Sequence, residues 1–166
     1  MKTLITILIL TPLSFGANID LPNYSATSIA PSTAPTEREW LMQTIENVSD
    51  TVGVPANVLK AIAWNESRYK WVVGSYGDLV YFQIIPSTYD YWKEKVPQTA
   101  NKREENVMIA ACYLKHLHER YGSWYKARFA YGRGHWRDSS TWTAMEKEFM
   151  RNFEKQCAKN AHTVDI

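Results

Sequence analysis

The chain of 166 residues, with 45% hydrophobic and 22% charged side chains, is long enough to form one domain with its own core. Its formal net charge of +2 is small and scattered, which argues against a nucleic-acid-binding protein. The unusual feature is the aromatic content, since seven Trp and ten Tyr can line grooves that hold sugars as well as fill a core.

The first 17 residues have the layout of a secretory signal peptide. Lys2 precedes an apolar run from Leu4 to Leu13, and small residues follow this run. The run is short for a membrane span and Pro12 interrupts it, although an uncleaved anchor is the alternative. Residues 18–35 are rich in Ser, Thr, Ala and Pro and are predicted to be a flexible linker. We therefore expect a periplasmic or secreted protein.

Helical patterns begin at residue 36, and we expect one domain over residues 36–160 with a short tail at 161–166. Thr36 opens the first helix with a capping box, and this helix ends at Gly53. Pro55 suits the first turn of a second helix. The apolar stripes of these two helices are Leu41, Ile45, Val48 and Val52, and then Leu59, Ile62 and Ala63.

Glu66 follows the apolar stripe of the second helix at helical spacing, so a carboxylate is directed to the side that should face the core. An unpaired buried charge is costly, and desolvation favours the protonated acid instead. A carboxylic acid held in this way can donate its proton to a glycosidic oxygen. The alternative is a solvated residue in the last turn of the helix. Glu66 is therefore a candidate catalytic acid.

The helical pattern breaks after Glu66. Residues 74–85 contain glycines and β-favouring side chains, which predict a loop with at most a short strand or hairpin. A short helix is expected near Ser87–Lys95. Sugar rings can stack on one or two of the aromatic side chains of this region, which are Tyr76, Tyr81, Tyr89, Tyr91 and Trp92.

Three more helices are predicted after this region. Asn101 opens a helix that ends at Gly122, and its segment VMIAAC is apolar on all sides, which predicts the central buried helix. A second helix covers about residues 123–131. The third starts with a capping box at Thr143 and runs to about Lys159, with apolar positions Met145, Phe149 and Phe153. The expected fold is mainly α, with a small irregular or β element after the helix that carries Glu66.

Cys112 and Cys157 are a candidate disulfide, because an exported protein meets an oxidising compartment. Two buried free thiols are the alternative, and the sequence does not decide between them. Two cysteines without histidines at ligand spacing argue against a zinc site. We expect no metal and no cofactor.

Glu66-Ser67 is the first of four short motifs. The others are Tyr81-Phe82-Gln83-Ile84 with Pro86 and Thr88, then Asn106 with Tyr113-Leu114, and then Ala130-Tyr131-Gly132-Arg133-Gly134. In this order and spacing they resemble the catalytic domain of soluble lytic transglycosylases, which belong to the lysozyme superfamily. The family pattern is Glu-Ser, Gly-Leu-x-Gln-Ile with a nearby Pro and Thr, an Asn-bearing helix with Tyr-Leu, and Ala-Tyr-Asn-x-Gly. The resemblance covers roughly Trp40 to Trp136 and implies a lysozyme-like fold.

The resemblance also implies roles for individual residues. Glu66 would be the single catalytic acid and base, and Gln83 would contact the sugar or its N-acetyl group. Tyr131 would hydrogen-bond to Glu66 and orient it, while Ser67 and Tyr113 would line or support the cleft. From the residues alone, Gln83 can be an ordinary polar strand residue, and Tyr131 and Tyr113 can be core residues.

Val80 and Gly132 depart from the family pattern, which has a glycine and an asparagine at these positions. A glycine lets the backbone turn tightly or approach a ligand closely, which valine does less easily. Gly77 and Asp78, just upstream, can supply the bend instead. These departures concern the shape of the cleft and leave Glu66 unaffected.

Three functions fit the resemblance. A lytic transglycosylase cleaves the MurNAc–GlcNAc bond without water and leaves an anhydro-muramoyl end, for which one carboxyl group suffices. A hydrolytic muramidase needs a second carboxylate, for which Asp78 is the first candidate, ahead of Asp90 and Glu94. Otherwise Asp78 is a turn residue after a glycine. A non-catalytic glycan-binding module is the third function, favoured by Val80 and Gly132. We expect the transglycosylase.

The expected partners are peptidoglycan glycan strands, and the chain is expected to be a monomer that binds no nucleic acid. One catalytic domain behind a signal peptide resembles small enzymes that open the wall for an envelope-spanning secretion or conjugation machine. Phage-associated, predatory and general wall-turnover roles are equally compatible with the residues.

Overall fold

A computed structural model describes residues 34–73 and 80–161 of the chain. The predicted signal peptide, nearly all of the predicted linker, and Tyr76, Gly77 and Asp78 lie outside the described residues. The described residues form six α-helices, which confirms the mainly α prediction. They are α1 (Glu37–Val52), α2 (Ala56–Ser67), α3 (Pro86–Trp92), α4 (Lys102–Tyr121), α5 (Trp124–Arg133) and α6 (Ala144–Ala161), with 3₁₀ turns at Val80–Phe82 and Ser139–Thr141.

Local side-chain hydrogen bonds set the helix ends that the sequence predicts. Thr36 and Glu39 form a complete capping box at the start of α1. The side chain of Asn101 accepts from two backbone N–H groups in the first turn of α4. Gly53 and Gly122 end α1 and α4 in the left-handed conformation, with φ of 77° and 71°. These ends depend on neighbours in sequence, which is why they could be predicted.

Helix α4 lies at the centre of the packing. It contacts α1, α3, α5 and the 3₁₀ turn at Val80–Phe82. Its residues from Asn106 to Ala111 are all buried, because a helix that is apolar on every side must be covered on every side. Helix α2 packs against α1, α6 and the same 3₁₀ turn. The end of α2 therefore lies next to this turn.

The predicted loop or β element contains the 3₁₀ turn Val80–Phe82, and all three of its side chains are buried. Isolated bridge residues occur at Val73 and Ile84, which limits β structure in the described residues to single positions. The β-favouring side chains of this region are thus used to cover α2 and α4. They do not build a strand within the described residues.

Two details differ from the prediction. Helix α3 ends at Trp92, before the predicted Lys95. Met145 of α6 is 74% exposed and does not belong to the buried face, which is formed by Glu146, Met150 and Phe153.

No helix within residues 34–73 and 80–161 has the length and apolar character needed to span a bilayer.

Candidate active site

Glu66 lies in the last turn of α2 and opens onto a cavity. Helix α2 ends here because Arg68 and Tyr69 both adopt the left-handed backbone conformation, with φ of 58° and 63°. The side chain of Glu66 is 21% exposed. It lines a cavity of about 280 Å³ together with Gln83, Ile85, Tyr131 and Gly132. The apolar stripe of α2 therefore ends at a cavity and not in a closed core.

Arg128 gives Glu66 a charged partner that the sequence reasoning missed. Its Nη2 donates to Glu66 Oε1 at 2.7 Å, and the Arg128 side chain is fully buried. This charge-assisted hydrogen bond gives Glu66 a cationic neighbour, whereas the sequence pattern predicted an apolar surrounding. Arg128 precedes Tyr131 by three residues on α5, so the two share a helix face. That spacing was the one available signal.

Tyr131 lines the cavity, but its hydrogen bond differs from the expectation. Its hydroxyl donates to the backbone carbonyl of Phe82 at 3.0 Å, and Arg128 takes the expected place beside Glu66. Burial and then the nearby charge of Glu66 raise the pKa of Tyr131 well above its ordinary value, so the hydroxyl stays protonated. Tyr131 thus ties α5 to the 3₁₀ turn.

Gln83 lines the same cavity from the end of the 3₁₀ turn. Its backbone has a φ of 47°, in the left-handed region. Its side-chain Nε2 donates to the carbonyl oxygens of Val80 at 2.7 Å and Val72 at 3.2 Å. These bonds occupy the donors of the amide, so its carbonyl oxygen is the group left to accept from a ligand.

Val80, one of the two departures from the family pattern, has the backbone conformation expected of the family glycine. Its φ is 61°, a conformation that a β-branched residue rarely adopts and that glycine adopts without strain. Its N–H donates to the carbonyl of Val72 at 3.0 Å, and its side chain is buried. The backbone therefore has the shape for which the family pattern has glycine, and valine takes this shape at a cost in strain.

Gly132 explains the other departure. A Cβ atom at this position would lie 3.0 Å from Phe149 Cζ and 3.5 Å from Arg128 Nη1. A separation of 3.0 Å is too short for carbon atoms, so a side chain here would displace the Phe149 ring. The absence of the family asparagine is thus linked to the presence of Arg128 and Phe149.

Ser67 supports the site, and Tyr113 lines it. The buried hydroxyl of Ser67 lies 3.0 Å from the carbonyl oxygen of Ala63 and 2.8 Å from that of Tyr81, which joins the end of α2 to the 3₁₀ turn. Tyr113 of α4 packs against Tyr131, with ring centroids 5.3 Å apart. Burial raises the pKa of the Tyr113 hydroxyl.

The cavity at Glu66 continues into a longer groove. A second cavity of about 180 Å³ shares four lining residues with the first and adds Thr88 and Tyr113. A third, of about 400 Å³, shares Thr88 and Tyr113 with the second. The third also has three aromatic or imidazole side chains, which are Tyr91, Trp92 and His116. We refer to these three connected cavities as the groove.

Of the four described aromatic residues expected near the site, two line the groove, and Tyr81 and Tyr89 do not. Tyr91 and Trp92 line the groove. Tyr81 is fully buried, and its hydroxyl donates to Glu37 at 2.8 Å and accepts from Arg103. Burial and then the hydrogen bond to Glu37 raise the pKa of Tyr81 to about 12. Tyr81 is therefore a core residue.

Glu66 is the only carboxylate among the described residues that line the groove. Asp78, the candidate second carboxylate, lies outside the described residues. Asp90 forms an exposed ion pair with Lys93 at 2.8 Å, and Glu94 is also exposed. Across residues 34–73 and 80–161, no three His, Cys, Asp or Glu side chains cluster in a way that could hold a metal ion.

Cys112 and Cys157 are free thiols in the structure, so the candidate disulfide is not formed. Cys112 belongs to α4, which packs mainly on α1 and α5, whereas Cys157 belongs to α6, which packs mainly on α2. Burial raises the pKa of Cys112, and it raises that of Cys157 to about 12. Both side chains therefore stay protonated at neutral pH.

The family model described as Transglycosylase SLT domain matches residues 43–153, and the chain belongs to this family. The match confirms the resemblance drawn from the four motifs. Membership gives the chain a peptidoglycan-directed function of the lytic transglycosylase type. Every described residue of the groove lies inside the matched range. No curated protein matches the chain.

Proposed function

We propose that the chain is a peptidoglycan lytic transglycosylase that cleaves the MurNAc–GlcNAc bond and leaves an anhydro-muramoyl end. The observation that carries the proposal is Glu66, the single carboxyl group in the described lining of the groove. One carboxyl group is enough for this reaction, whereas the usual hydrolytic route needs two. Glu66 is the proposed acid and base.

Glu66 acts first as an acid. Its carboxyl group gives a proton to the glycosidic oxygen while the bond from that oxygen to the anomeric carbon of MurNAc breaks. The released GlcNAc keeps this proton on its new hydroxyl group. The N-acetyl group of MurNAc stabilises the anomeric carbon, which removes the need for a protein nucleophile.

Glu66 then acts as a base. Its carboxylate takes the proton of the MurNAc hydroxymethyl group as the oxygen of that group bonds to the anomeric carbon. The anhydro ring closes, Glu66 is protonated again, and no water is consumed. Tyr131 and Gln83, which line the cavity beside Glu66, are the proposed substrate contacts.

The length of the groove supports a polymeric substrate. Its cavities run from Glu66 past Tyr113 to Tyr91 and Trp92. Aromatic faces suit the apolar faces of sugar rings, and their hydroxyl or indole N–H groups can bond to sugar hydroxyls. A glycan strand with one ring at Glu66 can therefore place neighbouring rings along Tyr113 and Tyr91.

Export belongs to the same proposal and rests on the sequence pattern of the first 17 residues. An envelope-spanning secretion or conjugation machine is the proposed partner. N-terminal sequencing of the mature protein tests export. Cleavage of the signal peptide predicts a new N-terminus between Gly16 and Asn18. An intact N-terminus on an exported protein would support the uncleaved anchor instead.

The catalytic part of the proposal is tested with Glu66→Gln on purified peptidoglycan. Loss of a general acid and base lowers the rate of fragment release by at least about 100-fold. Glu154→Gln, which changes an exposed glutamate outside the groove, is the matched control and should keep full activity. Equal loss of activity in Asp78→Asn would support the two-carboxylate muramidase, and an inactive wild-type protein that still binds peptidoglycan would support the binding module.

A further inference from the structure

Arg128 is an arginine with no exposed surface, placed directly behind the proposed catalytic carboxyl group. Its Nη2 donates to Glu66 Oε1 at 2.7 Å across a separation of 62 residues in sequence. Within the described parts of the chain, its Nε and Nη1 have no hydrogen-bond acceptor. A buried guanidinium is costly, and a structural arginine normally satisfies more of its donors. The described polar contact of this side chain is therefore with Glu66.

Two further residues hold the guanidinium in place. Its central carbon lies 4.1 Å from the centroid of the Phe149 ring, which is a cation–π contact from α6. Gly132 provides the space, because a Cβ there would lie 3.0 Å from Phe149 and 3.5 Å from Arg128 Nη1. Glycine at position 132, arginine at 128 and phenylalanine at 149 thus fit together as one unit.

We propose that Arg128 is a positioning residue for Glu66, held by Phe149 and Gly132. By binding Oε1, it fixes the rotamer of the carboxyl group and leaves Oε2 as the oxygen that meets the substrate. This inference rests on the proposed function of Glu66. A positioning role predicts a loss in kcat, because a displaced acid slows the chemical step while the groove still binds the glycan.

The main test compares Arg128→Met with Arg128→Lys on soluble peptidoglycan strands. Arg128→Met fills the space without the charge and should lower kcat about 100-fold, with KM changed less than about threefold. Arg128→Lys should recover part of this loss, since an ammonium group can still reach toward the carboxylate but lacks the planar fork of arginine. Arg151→Met is the control, because Arg151 is an exposed arginine of α6 that pairs with Glu148 and lies outside the groove. It should keep kcat.

Binding separates positioning from a structural role. In a Glu66→Gln background, adding Arg128→Met should leave glycan affinity within about twofold, because the groove lining is unchanged. A larger loss of affinity would show that Arg128 shapes the groove, which would overturn the proposal. A wild-type kcat in Arg128→Met would overturn it as well.

A second-site substitution tests whether the space at Gly132 is needed to hold Phe149 and Arg128 in place. Gly132→Ala should lower kcat, because the new methyl group pushes Phe149 and through it the guanidinium. Adding Phe149→Leu should recover part of that loss by making room. If Gly132→Ala has no effect on kcat, or if adding Phe149→Leu lowers kcat further, the space at Gly132 has no part in positioning Glu66.

A thermal double-mutant cycle tests the ion pair without any activity measurement. Added together, the Tm shifts of Glu66→Gln and Arg128→Met should exceed the Tm shift of the double variant by at least about 3 °C. Each single change removes the charge of one partner of the same ion pair. Additive shifts would overturn the Arg128 proposal. A wild-type protein that releases no fragments but shows the coupling would overturn the proposed function and leave the pairing of the two side chains established.

Discussion

At the scale of single residues, backbone strain surrounds the proposed site. Four residues other than glycine have positive φ angles in the described chain, and they are Arg68, Tyr69, Val80 and Gln83. Each such conformation costs about 1–3 kcal/mol and persists only where the surrounding contacts enforce it. Two of them directly follow the end of α2, one is the first residue of the 3₁₀ turn, and one directly follows that turn. The strain therefore lies at the junction that holds Glu66 beside Gln83.

Val80 gives a direct measure of this strain. In a left-handed position, glycine escapes a penalty of about 1–2 kcal/mol that every other residue meets. We expect Val80→Gly to be more stable than Val80→Ala by about 1 kcal/mol in urea unfolding. The control is the same pair at Val58, a buried position within α2, where alanine should be the more stable by about 1 kcal/mol. If alanine is the more stable variant at both positions, Val80 is not strained in solution.

At the scale of helices, α5 and α6 both contribute side chains behind Glu66. Helix α5 carries Arg128 and Tyr131 on one face, and α6 covers that face with Phe149. Helix α6 also packs along α2, which carries Glu66. The start of α6 therefore matters to the site, because it sets the position of Phe149.

The start of α6 predicts a pH dependence of stability. The backbone N–H of Thr143, followed by Arg137, lowers the pKa of Glu146 from 4.5 to about 2. A carboxyl group with a depressed pKa stabilises the folded state when the pH is above the group's ordinary pKa. This stabilisation is lost as the pH falls from about 4.5 toward about 2. Acid unfolding followed by circular dichroism should thus show a smaller loss of folding stability over this pH range in Glu146→Gln than in the wild type.

Thr143→Val is the matched variant for this measurement. It removes the hydroxyl contact with Glu146 but keeps the backbone N–H, which is the larger cause of the pKa shift. Most of the acid-dependent loss should therefore persist in Thr143→Val. An acid profile of Glu146→Gln equal to that of the wild type would show that Glu146 does not stabilise the start of α6.

The helices could be predicted largely because their ends are local. The caps at Thr36, Asn101 and Thr143 need only residues within one turn, and the sequence shows them directly. Met145 was misassigned to the buried face because helical spacing does not fix which of two adjacent stripes faces the core. The turn at Val80–Phe82 was missed because its conformation depends on contacts with α2 and α4.

At the scale of the whole molecule, the groove ends in an exposed aromatic surface. Tyr91 is 60% exposed and lines the cavity farthest along the groove from Glu66. Tyr91→Ala should weaken glycan binding by about 1 kcal/mol, or roughly fivefold in apparent KM, with kcat unchanged. Met145→Ala, an exposed apolar residue outside the groove, is the control. A fall in kcat with KM unchanged would remove Tyr91 from the binding surface.

The site could be predicted from sequence only in part. Glu66 stood out because a carboxylate interrupts an apolar stripe, and Gln83 and Tyr131 followed from the family motifs. Arg128 did not stand out, since its contact with Glu66 joins helices that are distant in sequence. For the same reason, Tyr131 was expected to bond to Glu66, while the fold directs its hydroxyl to Phe82. Motifs thus indicate which residues gather, and tertiary packing decides which atoms meet.

In the proposed reaction a single carboxyl group, Glu66, cleaves the glycan without water. The most direct measurement is mass spectrometry of the fragments released from purified peptidoglycan in water labelled with heavy oxygen. Cleavage by Glu66 alone should release anhydro-muramoyl ends that carry no label, and Glu66→Gln should release no such ends. Reducing ends that carry the label would show that water attacks the anomeric carbon, and the protein would then be a muramidase.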